Sequence, residues 1–133
     1  MSERLKAMKR VLKVQDQLKR SADWRLAEAE RAAAEVETAK SEFNAFLART
    51  DLSGPLAGLA VRRTQRLAVE EHAAARVVAT ETEAMREVTA RQKLIAKSVD
   101  ALARDEAALR ERKDLERLIE GFAGRAGRPD GDA

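Results

Sequence analysis

The one histidine of the chain, His72, is where acid–base or metal chemistry would start, because imidazole titrates near neutral pH and is a common metal ligand. Its helical position puts it on a solvated face, and a metal would need further nitrogen or carboxylate ligands converging on it. Carboxylates pair at Glu28/Glu30 and Glu70/Glu71, but on open helix surfaces that enclose no pocket. The chain has no cysteine, which excludes disulfides and thiolate metal sites. The glycines match no phosphate-cradling loop and follow no strand. No nucleophile stands beside a base in a recognisable spacing. No catalytic residue, cofactor or metal is expected, and the chain reads as a non-enzyme.

The elements behind these residues are helical. Charged residues make up 37% of the 133, while aromatics reach only 3%: Trp24, Phe43, Phe46 and Phe122. Alanine and leucine supply most of the 44% apolar content. Such a composition with heptad-like spacing suggests long helices or a coiled coil in a single domain. Apolar runs are far too short to span a membrane, and the opening Met1-Ser2-Glu3-Arg4-Leu5-Lys6 lacks the apolar stretch of a signal peptide. A soluble cytoplasmic protein with no direct membrane insertion is the expectation.

Helix 1 is predicted over about 2–49, a stretch without Pro or Gly. The turn is Thr50-Asp51-Leu52-Ser53-Gly54-Pro55, where Ser53 or Gly54 can cap a second helix and Pro55 suits its first position. Helix 2 is predicted over about 55–121, with a disordered tail over 123–133. The hairpin domain is thus residues 1–122. In helix 1, steps of three and four give a seam with Met8, Gln15, Ala22, Ala29, Val36 and Phe43 at heptad position a. Arg4, Val11, Leu18, Arg25, Ala32, Ala39 and Phe46 stand at d. A neighbouring stripe at e holds Leu5, Leu12, Leu26, Ala33 and Leu47. The helix 2 seam runs Leu67, Glu71, Ala74, Val78, Glu81, Met85, Val88, Gln92, Ile95, Val99, Leu102, Glu106 and Leu109.

A chain folding back at the turn pairs residues whose numbers sum to about 106 if the two helices lie antiparallel. The polar intrusions then coincide: Arg25 falls opposite Glu81, and Gln15 opposite Gln92. A parallel homodimer would set Arg25 against Arg25, which like charges disfavour. The predicted fold is therefore all-α, a long two-helix antiparallel coiled-coil hairpin. Helix 1 would run roughly 70 Å and helix 2 roughly 100 Å, so helix 2 overhangs. The overhang keeps an apolar face, Leu115, Ile119 and Phe122, that offers a partner surface. Near the turn, Phe43, Phe46, Leu47, Leu56 and Leu59 concentrate large apolar residues in a chain otherwise filled with alanine. Trp24, away from the seam beside Arg25, is a further candidate contact.

Charge is uneven. Residues 1–25 carry eight Lys/Arg against three acidic residues, while residues 26–50 carry three against five. A solvated face is the ordinary reading of such asymmetry. The sharper one is a basic end, with Lys6, Lys9, Arg10 and Lys13, docking on an acidic protein. Nucleic acid is not expected, since interleaved aromatics and a recognition motif are missing.

The small basic helical hairpin opens with Arg4-Leu5-Lys6-x-Met8-Lys9-Arg10-Val11-Leu12. Near its end stands Arg112-Lys113-Asp114-Leu115-Glu116-Arg117-Leu118. In these features residues 1 to about 122 resemble the stalk proteins of type III export ATPases, flagellar FliJ and its injectisome counterpart YscO. The chain lacks the tyrosines that the flagellar pattern carries near the tip. The resemblance implies a stalk like the gamma subunit of rotary ATP synthase. Its terminal end would enter a hexameric export ATPase through Lys6, Lys9, Arg10 and Lys13. Its tip (Phe43, Phe46, Leu47, Leu56, Leu59) would meet the export gate membrane protein, holding the chain peripherally at the cytoplasmic membrane. Leu115, Ile119 and Phe122 would be a surface for export chaperones. The alternative function is a coiled-coil scaffold unrelated to export, self-associating as a homodimer through the overhang.

Overall fold

A computed structural model describes residues 2–127. They form an all-α hairpin of two helices packed on each other, α1 (Glu3–Arg49, 47 residues) and the longer α2 (Pro55–Gly127, 73 residues). Local chemistry sets the helix starts. The Ser2 hydroxyl accepts a hydrogen bond from the Leu5 N–H at 3.1 Å and caps α1. At the turn Gly54 takes φ +64, a conformation open to glycine, and its carbonyl accepts from the Ala57 N–H at 3.2 Å. Pro55 then enters α2 at its first position, where a missing N–H costs nothing.

The chain divides into two compact units. The first comprises the described residues of Met1–Val14 and Lys93–Ala133; here Leu5 and Val99 are buried and the Ser2 N–H donates to Glu106. Hydrogen bonding from Ser2, its side chain first and its backbone N–H second, holds the Glu106 carboxyl below the usual carboxylate range. The second unit is Gln15–Gln92, with Ala22, Ala29 and Leu67 buried. Arg25 Nε lies 3.2 Å from Glu81 Oε2, Gln92 Nε2 donates to Asp16 Oδ1 at 2.5 Å, and Lys40 Nζ lies 2.8 Å from Glu71 Oε2. These pairs have numbers summing to 106, 108 and 111, so the pairing sum expected from the turn holds at Arg25/Glu81 and runs higher at the other two.

The α2 seam is the one its sequence spacing predicts, from Leu67 to Glu106, every member buried or half-buried; Leu109 alone is exposed. The α1 seam is rotated. The covered residues are those at a and e, with Leu5 buried and Leu12, Lys19, Leu26, Ala33, Lys40 and Leu47 half-buried. Of the d positions only Ala39 is half-buried, while Arg4, Val11, Leu18, Arg25, Ala32 and Phe46 are exposed. The physical reason is the content of the stripes. Four leucines at e bury more apolar area than one valine, one leucine and one phenylalanine at d. Lys19 and Lys40 are tolerated at e because their aliphatic stems can lie along the seam while the ammonium reaches outward.

Three further differences follow. Gln92 turns to Asp16 instead of Gln15, leaving the Gln15 Oε1 buried without a partner. The Arg25–Glu81 pair sits at the rim of the seam, half exposed, not buried within it. Finally, α2 continues through Ala123–Gly127, where the sequence reading places a tail; Gly121 and Gly124 weaken a helix by about 1 kcal/mol each without breaking it. The rest of the expected tail, 128–133, lies outside the described residues.

Candidate functional site

The tip gathers all five of its candidate residues. The last turns of α1 present Phe43, Phe46 and Leu47, and the first turns of α2 present Leu56 and Leu59. Phe43 and Phe46, three apart on one helix face, stack with ring centroids 6.1 Å apart. Two apolar grooves open here. One is lined by Phe43, Phe46, Leu52, Leu56, Leu59 and Arg63, the other by Leu47, Leu52, Ala57, Ala60 and Val61. Phe46, Leu56, Leu59 and Val61 stay largely exposed because two helices have only one shared face in which to hide side chains.

Leu52, outside the five candidates, lies in the turn and lines both grooves. The signal was present, a leucine among turn residues, where polar side chains are the norm. Arg63 lines the first groove, and two further arginines stand near it in sequence. Arg62, Arg63 and Arg66 are exposed on the third and fourth turns of α2, with no carboxylate partner among the described residues. Arg49 hydrogen-bonds the Ala45 carbonyl at 3.2 Å, closing its own helix end. The tip thus offers an apolar cleft edged by the Arg63 guanidinium, suited to an apolar segment with an acidic flank.

In the first unit, Lys6, Lys9, Arg10 and Lys13 are all exposed. Their spacing of i, i+3, i+4 and i+7 sets them in one stripe, turned away from the face that buries Leu5 and half-buries Met8 and Leu12. Lys6 also lies 3.5 Å from Glu3 in an exposed contact of little energetic weight. Leu115, Ile119 and Phe122 are exposed together on α2. Trp24 is exposed, and His72 is exposed as well. Among the described residues no three His, Cys, Asp or Glu side chains are placed to hold a metal ion, and no helix is long and apolar enough to cross a membrane.

The chain matches no protein-family model, no curated protein and no solved structure.

Proposed function

We propose that the chain is a non-enzymatic helical-hairpin adaptor of a type III, flagellar-type, protein export apparatus, binding a hexameric export ATPase and an export gate. The observation that carries this reading is the tip: an apolar cleft at Phe46, Leu52, Leu56 and Leu59 with Arg63 at its edge. Large apolar side chains left uncovered in a chain whose core is mostly alanine and leucine serve a partner better than they serve the hairpin. The partner class rests on the motifs at Arg4–Leu12 and Arg112–Leu118.

Two kinds of contact divide the work. The stripe of Lys6, Lys9, Arg10 and Lys13 meets acidic side chains of the ATPase, giving fast, salt-sensitive association. The tip inserts its leucines and Phe46 into the gate, where apolar burial supplies affinity and Arg63 fixes orientation. The protein stays in the cytoplasm and reaches the membrane surface through the gate.

The test is binding by the full chain to a purified export ATPase and to the cytoplasmic part of an export gate. Reversing charge at Lys6, Lys9, Arg10 and Lys13 together should abolish the first interaction and spare the second. Phe46→Ala with Leu56→Ala and Leu59→Ala should do the opposite. Absence of both interactions for the unaltered chain would refute the proposal.

A further inference from the structure

Among the described residues, every one from Ala107 to Ala126 on α2 is exposed, so the helix leaves its partner behind after Glu106. Yet this stretch is patterned. Leu115, Leu118, Ile119 and Phe122 fall at i, i+3, i+4 and i+7, and Ala108 and Ala126 extend the same face in both directions. Gly121 and Gly124, with open space around them, make an isolated helix here marginal. The apolar face is therefore built to be covered.

Charge decides what covers it. At about 100° per residue, Glu111, Asp114 and Arg125 all lie along one flank of the stripe, the acids N-terminal and the arginine C-terminal. Glu111 and Arg125 have no ion-pair partner among the described residues, and Asp114 makes only a long 3.9 Å contact with Arg117. This asymmetry is self-complementary. We infer that α2 beyond Glu106 recognises a second copy of the chain, the two helices pairing antiparallel about a two-fold axis between Leu118 and Ile119.

In that arrangement facing residues have numbers summing to about 237, as an isologous interface requires. Leu115 meets Phe122 of the second copy, Leu118 meets Leu118, and Ile119 meets Ile119. Arg125 comes against Glu111 and Asp114 of the second copy, and the axis repeats that contact. A parallel pair would instead set Arg125 against Arg125. Four large side chains of roughly 100 Å² each on either copy give an interface below the about 1,200 Å² of standard complexes, so the dimer dissociates on dilution.

Sedimentation equilibrium of the full chain tests the pairing without any export component. The expected result is a reversible monomer–dimer equilibrium, weakened at least about tenfold by Leu118→Ala with Phe122→Ala. The register is tested with two further variants, Glu111→Arg with Asp114→Arg, and Arg125→Glu. Each alone should dimerise poorly, because like charges meet at both ends, and an equimolar mixture should restore a heterodimer. All these positions are exposed, so far-ultraviolet circular dichroism should show the hairpin retained. A chain monomeric at every concentration overturns the inference. So does a mixture no better than its components, or a monomer whose exposed face binds only an export chaperone.

Discussion

Truncating single leucines along α1 reads out which stripe faces α2. Leu115 and Leu118 stand on a helix with no partner and are 58% and 59% exposed, which measures what a helix alone leaves open. Against that baseline Leu18, at 42%, is covered by its partner helix over only about a sixth of its surface, whereas Leu5, at 3%, is covered over more than half. Leu→Ala removes three carbons worth about 0.8 kcal/mol each when fully buried. Leu5→Ala should therefore cost about 2 kcal/mol and Leu18→Ala about 0.6 kcal/mol, with Leu26→Ala, half-buried at e, between them. Urea denaturation followed at 222 nm resolves this order. A loss at Leu18 equal to or above that at Leu5 and Leu26 would mean that α1 faces its partner with a and d, and the rotated seam would be wrong.

Other outcomes follow from single groups. Gln15→Leu removes a buried carbonyl without a partner and should raise stability by about 1–3 kcal/mol in the same assay. Gly54→Ala should lower stability by about 1–2 kcal/mol, since φ +64 is strained for a residue with Cβ, whereas Gly58→Ala, exposed in helix, should raise it by about 0.5–1 kcal/mol. Lys40 and Glu71 give a pH signature. Their hydrogen bond and mutual charge hold the Glu71 carboxyl below its ordinary value and raise the Lys40 ammonium above its own. The Glu71 contribution is thus present above about pH 4.3 and lost as pH falls through its lower folded value; the Lys40 contribution is present below about 10.4 and lost as pH rises through its higher one. Lys40→Met should shallow both limbs of a melting-temperature profile, and unchanged limbs would refute the coupling.

The hairpin was legible because its turn is unambiguous. Gly54-Pro55 has a single structural meaning between two long periodic segments, and it fixes the neighbourhood of Arg25 and Glu81. The α2 seam was legible because its apolar residues have no competing stripe. On α1 two stripes compete, and lysines at 19 and 40 disguise the winning one. A lysine looks polar in a pattern, although most of its side chain is hydrocarbon, and Lys40 resolves its charge on Glu71. The same rotation undoes the Gln15/Gln92 pairing, since it brings Asp16 to the donor of Gln92. At the tip, clustering of large side chains points to five residues, but the places of Leu52 and Arg63 in the grooves emerge only when the turn is placed in space. The end of α2 was misplaced because glycine lowers helix stability by amounts too small to terminate it.

The central claim is that this hairpin works on an export ATPase. Its most direct test is ATP hydrolysis by a purified hexameric export ATPase titrated with the full chain. The account predicts saturable stimulation, weakened by added salt and lost when Lys6, Lys9, Arg10 and Lys13 are replaced by glutamate. A rate that stays flat across the titration, with no complex formed at low salt, would contradict it.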